Sequence, residues 1–166
     1  MQKLIAIFLV ILQLLPFPFV QFLPFATQGA GPENAYLAVL EEMISNDSIK
    51  HISVNPERSN TADNPALVKA LQMFCENHGK TLYLEPLWEL NKKGLLGPED
   101  QEPYGFSIGG ERLAELEFAN IKQRRNSLTG VIGWLCGDCW GIGYKYKVRR
   151  IGCTWYIISK ESAWVS

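Results

Sequence analysis

The chain has 166 residues, 47% of them hydrophobic and 20% charged, with a net charge of −1 and a pI near 6.1. That composition excludes a disordered chain or a fibrous repeat, and the mildly acidic balance argues against a nucleic-acid partner. The length, less a leader, suits one domain and leaves no room for a second core.

Met1-Gln2-Lys3 followed by Leu4 to Leu15, broken only by Gln13, reads as the positive region and apolar core of a secretory leader. Pro16, Pro18 and Pro24 interrupt any longer helix, so a continuous membrane span of roughly 20 residues is not expected. Residues 1–27 are assigned as a signal peptide or, if uncleaved, an N-terminal anchor, and 28–166 as a single domain. A loose small-residue pattern around Ala26 to Ala30 is the candidate cleavage region. This places the protein outside the cytoplasm, secreted or in the periplasm or cell envelope, with membrane contact only through an uncleaved N-terminus.

Pro32 to Ser45 carries Leu37, Leu40 and Ile44 on one stripe and predicts a helix. Ile49 to Val54 predicts a strand, and Asn55 to Asn64 a polar loop. The next helix has the fullest set of signals: Asn64 to cap it, Pro65 at its first position, a stripe of Leu67, Leu71, Phe74 and Cys75, and Gly79 to stop it. Thr81 to Leu84 predicts a short strand. From Leu87 to Gly110 the glycines and prolines predict an irregular connection with at most one helical turn.

The last third predicts a meander of four antiparallel strands. Ala114 to Phe118 alternates, the polar group Arg124 to Ser127 is a turn, and Leu128 to Trp134 is the next strand. Tyr144, Tyr146 and Val148 then oppose Lys145, Lys147 and Arg149 with a period of two, and Thr154 to Ile158 returns after a turn at Arg150 to Cys153. Gly133, Gly141 and Gly143 are expected to let the sheet bend. Together these elements give an α+β fold, a curved antiparallel sheet with one or two N-terminal helices packed on it.

The run Cys136-Gly137-x-Cys139-x-Gly141-x-Gly143-Tyr144-x-Tyr146, followed by a hairpin and the terminal Trp164-Val165-Ser166, resembles small exported bacterial proteins of uncharacterised function. The resemblance covers the C-terminal third and implies an exported α+β domain with no activity to carry over. The chain departs from that pattern at the last hairpin. Gly152-Cys153 stands where those proteins have Asn-Gly, and a type I′ turn would prefer glycine at the cysteine.

Charge is segregated. Residues 28–118 hold 7 Lys/Arg against 15 Asp/Glu, while residues 119–166 hold 8 against 2. The row Lys145, Lys147, Arg149 reads either as a solvated strand face or as an anion-binding one, the former being common on sheets. Glu115 and Glu117 are expected on a solvated outward face.

Cys75, Cys136, Cys139 and Cys153 are disulfide candidates in an exported chain, with three possible connectivities. A bridge from Cys75 to the sheet would close a loop of about 60 residues or more and stabilise by roughly 4 kcal/mol on chain-entropy grounds. Cys136 and Cys139 form the nearest local pair. A thiol-disulfide redox function at Cys136/Cys139 would need a helix after the first cysteine to lower its pKa, and Trp140 to Tyr144 forms none. A zinc site built from Cys136, Cys139, Cys153, Cys75, His51 or His78 lacks a second paired motif. His51 and His78 read as structural or exposed. The motifs of hydrolases, zinc proteases and nucleotide-binding loops are absent from the sequence, so no catalytic residue, metal ligand or cofactor is assigned.

What remains is a surplus of aromatics: Trp134, Trp140, Tyr144, Tyr146, Trp155 and Trp164 form the core or a ligand or partner surface. The expected function is an exported, non-enzymatic binding or interaction module of the cell envelope, with a protein or small ligand as partner. The rivals are a redox protein using Cys136/Cys139 and a structural envelope protein held by its N-terminus.

Overall fold

The computed structural model describes residues 26–44, 48–97, 105–137 and 140–165, the side chains of 136, 137 and 140 excepted. Eight strands form one curled sheet, and three α-helices accompany it among the described residues. The strands are β1 (Ala26–Gln28), β2 (Ile49–Val54), β3 (Thr81–Tyr83), β4 (Ser107–Ile108), β5 (Glu111–Arg124), β6 (Ser127–Gly137), β7 (Trp140–Ile151) and β8 (Thr154–Val165). The helices are α1 (Glu33–Ile44), α2 (Pro65–His78) and α3 (Leu87–Lys92). The strand order is β1-β8-β7-β6-β5-β2-β3, with β4 paired to β5.

The four-strand meander β5 to β8 is antiparallel, as the alternation requires. The other end of the sheet departs from expectation: β2 runs parallel to both β3 and β5. The cause is connectivity, since parallel neighbours need a crossover and α2 supplies one between β2 and β3. Strand β1 also extends the sheet into the segment assigned as leader. Its Ala26 and Thr27 pair with Tyr156 and Trp155.

Helix α2 has the caps its sequence promises. The Asn64 side chain accepts the Leu67 N–H at 3.1 Å, and Gly79 adopts the left-handed conformation at φ 59°. Its stripe and that of α1 are buried against the inner face of the sheet, where Phe118, Ile132, Tyr146, Val148, Trp155 and Ile157 meet them. The two helices pack side by side, joined at their surfaces by Lys69–Glu33 at 2.7 Å and His78–Glu41 at 2.9 Å.

On the opposite, outer face the described residues cover only the β2–β5 end. There α3 caps a small second cluster: Leu90 and Leu113 are fully buried, and the Leu87 N–H lies 3.4 Å from Glu115 Oε1. Glu115 is therefore half-buried and not the solvated residue expected, and burial pushes its carboxyl pKa up. The stretch expected to be irregular also holds a hairpin. Gly109 and Gly110, both at positive φ (60° and 84°), join β4 to β5, the sign pattern of a type I′ turn.

The β7–β8 turn resolves the departure noted at Gly152-Cys153. Gly152 has φ 63°, and Cys153 is not among the residues with positive φ. Glycine at the first central position alone is the pattern of a type II′ turn, the other hairpin type that matches strand twist.

Candidate functional site

Helix α1 has 12 residues and is about 18 Å long at 1.5 Å per residue. Strand β7 also has 12 residues but runs for about 40 Å. The strand is thus more than twice as long as the helix, and among the described residues the inner face of β6, β7 and β8 beside the last turn of α1, at Glu42 and Met43, is open. A groove of about 410 Å³ occupies that place, within the range of small-molecule sites.

Its floor is one cross-strand row. Trp134 of β6 stands opposite Ile142 of β7, which stands opposite Val165 of β8. Gly141 and Tyr144 extend it along β7, and Met43 of α1 forms the facing wall. Val165 is 71% exposed at the rim.

The inner end of the groove is polar but electrically closed. Glu42 Oε2 accepts the Tyr146 hydroxyl at 2.6 Å and Oε1 accepts Lys160 Nζ at 2.7 Å. Lys160 Nζ also lies 3.9 Å from the centroid of the Tyr144 ring, a cation–π contact, and the Tyr144 and Tyr146 rings meet edge to face at 6.1 Å. Burial, then the Glu42 carboxylate that accepts its hydrogen bond, drives the Tyr146 pKa far up, so this phenol stays protonated. With Glu42 satisfied by both partners, no free acid, base or nucleophile faces the groove from this network. The arrangement is suited to holding an apolar group beside a neutral polar wall.

Trp164 lies on the other side of the same strands. It stands opposite Gly143, which stands opposite Gly133. A Cβ on Gly143 would come within 2.2 Å of the indole Nε1, and one on Gly133 within 2.4 Å of Cζ2. These two glycines leave room for the indole to lie across β6 and β7, a role in addition to the strand bending expected of them.

The six aromatics assigned to a partner surface thus divide. Trp134 and Tyr144 line the groove, and Trp164 lies half-exposed on the outer face. Tyr146 and Trp155 are core residues, 1% and 0% exposed, and Trp155 Nε1 donates to the Gly31 carbonyl at 3.1 Å. The side chain of Trp140 lies outside the described residues. Groove residues that the sequence reading missed are Glu42, Met43, Ile142, Lys160 and Val165, which no local pattern ties to Trp134.

Of the disulfide candidates, Cys75 and Cys153 are free thiols. Cys75 is buried in α2, where burial pushes its pKa up to about 11, and Cys153 is exposed at the β7–β8 turn. The side chains of Cys136 and Cys139 lie outside the described residues. Among the described residues no group of three or more His, Cys, Asp or Glu side chains is placed to hold a metal. His51 is buried on β2 with Nε2 3.2 Å from Glu111 Oε2, and its ring nitrogens make no hydrogen bond of good geometry. No described helix is long and apolar enough to cross a membrane.

No protein-family profile, curated protein or solved structure matches the chain at a significant level.

Proposed function

We propose that this protein is an exported, non-enzymatic binding module of the cell envelope whose inner-face groove receives an apolar ligand or an apolar side chain of a partner protein. The observation that carries the reading is the groove itself: among the described residues the row Trp134–Ile142–Val165 is left uncovered beside the end of α1, against a wall in which Glu42 and Lys160 neutralise each other. The apolar N-terminal stretch of the sequence supports export. Orientation would come from the few polar groups at the closed end, Tyr144 and the Lys160 ammonium.

The test is fluorescence titration with the neutral apolar dye N-phenyl-1-naphthylamine. The expected result is saturable binding to the native chain, weakened about tenfold or more in Val165→Asp, a substitution at an exposed rim position that puts a carboxylate into the apolar row. Equal dye affinity in the two proteins, or no saturable binding by the native one, removes the groove as the site.

A further inference from the structure

We propose that the outer face of the meander is a docking surface for an anionic lipid bilayer, independent of the groove on the inner face. The register assembles it from residues far apart in sequence. Lys122 of β5 lies in one cross-strand row with Thr129, Lys147 and Ser159, and Arg124 lies in the next with Ser127, Arg149 and Tyr156. Lys145 follows, between Val131 and Glu161. Two columns of cations therefore run along β5 and β7, about 10 Å apart across β6, over a floor of short side chains.

All five cations are exposed, as is Arg125 at the β5–β6 turn. Among the described residues none of the six makes an ion pair with a carboxylate, whereas Lys69, Lys93 and Lys160 elsewhere each do. Like charges gathered on one face repel one another, and a surface of opposite charge relieves that repulsion.

The shape of the cluster selects the partner. Its charges are spread over a sheet face and do not converge on a point, which fits an extended anionic surface better than a single small anion. At one end the β5–β6 and β7–β8 turns are tied together by the Arg150 N–H donating to the Asn126 carbonyl at 2.9 Å. At that end Ile151, beside Arg149 and Arg150, is 57% exposed. An apolar tip flanked by cations is what a peripheral protein needs to enter the headgroup layer, the side chain inserting while the cations meet lipid phosphates. A soluble polyanion would use the cations but have no use for Ile151.

The experiment is co-sedimentation of the full chain with phosphatidylcholine vesicles and with vesicles in which phosphatidylglycerol replaces about a third of the lipid. Comparing the two cancels the apolar part of any binding through the N-terminus, and the charge variants below leave Lys3 in place, so their losses report the sheet face alone. Preference for the anionic vesicles, declining as salt is raised, is expected for the native protein. The exposed triple variant Lys145→Ser/Lys147→Ser/Arg149→Ser should lose about 100-fold of that preference, roughly fivefold per cation. The pair Lys122→Ser/Arg124→Ser on the neighbouring strand should lose about 25-fold and serves if the triple variant does not fold. Ile151→Ser should weaken binding several-fold without changing the salt dependence. No anionic preference in the native protein, or full preference in both charge variants, overturns the proposal. So does competition by heparin together with vesicle binding that Ile151→Ser leaves untouched, which would mark the face as a site for soluble polyanions.

Discussion

The two faces of the meander are built from the same four strands yet have opposite characters, and Trp155 and Trp164 of β8 show the difference most directly. Trp155 is fully buried on the inner face, its one polar atom bonded to the Gly31 carbonyl. Trp164, nine positions later, lies half-exposed on the outer face across two glycines. Residue type alone therefore does not set an aromatic's contribution. The inner face gains from helices that exclude water, whereas on the outer face only a missing Cβ makes room for a large ring.

The comparison can be broken most sharply at Trp155. Trp155→Ala should cost about 3–5 kcal/mol in urea unfolding, the range for deleting a fully buried large aromatic. A cost equal to that of Trp164→Ala would mean the faces are not so different. Next in size is Gly143→Val, which drives a side chain into the Trp164 indole. A loss of about 1–3 kcal/mol with a red shift in tryptophan emission is expected. An unchanged spectrum would place Trp164 off the glycine floor.

The smallest effect concerns Glu115, the one outer-face acid that α3 half covers. Its folded pKa is raised, chiefly by burial, so the stability it contributes is complete below the unfolded carboxyl value, near 4.3, and is lost as pH rises through the folded value. At pH 7 the charged form is a cost, and Glu115→Gln should raise the urea-unfolding free energy there, by no more than about 0.5 kcal/mol since the group still meets solvent. The gain should vanish below about pH 4, where both chains are uncharged at this site. A variant less stable at pH 7 than the native chain would show that the Leu87 N–H needs the charge.

Much of this architecture can be read from the residues. The strict alternation from Tyr144 to Arg149 placed Tyr146 and Val148 inside and Lys145, Lys147 and Arg149 outside, and Asn64, Pro65 and Gly79 bounded α2. Strand β2 was legible as a strand but not as a parallel one, because Ile49 to Val54 is covered on both faces at nearly every position and so alternates only weakly in sequence. The Gly109-Gly110 hairpin was legible in principle, as two glycines between short extended runs, but lay among so many other glycines and prolines that it read as loop.

The groove was the least legible part, and the reason lies in β8. Two register shifts interrupt its pairing with β7, leaving Ile158 and Ala163 without opposite numbers. Each reverses the face of every later residue. The first carries Lys160 to the inner face, where it meets Glu42. The second returns Trp164 to the outer face and puts Val165 in the groove. Counting by twos from Trp155 assigns Trp164 and Val165 to their observed faces, because the two reversals cancel, but it puts Lys160 on the outer face and so hides the polar end of the groove.

Those same two irregularities bear on how the molecule avoids assembling with copies of itself. Strand β1 covers only Thr154 to Tyr156 of β8, so among the described residues its backbone beyond that point faces outward without a neighbouring strand. A long straight edge of this kind is a template for uncontrolled sheet growth and fibre formation. In β8 the bulges break the regular spacing of N–H and C=O groups at two points, and the charged pair Lys160-Glu161 sits between them. An incoming strand would have to match two kinks and desolvate both charges, which disfavours aggregation along that edge while the chain folds and afterwards.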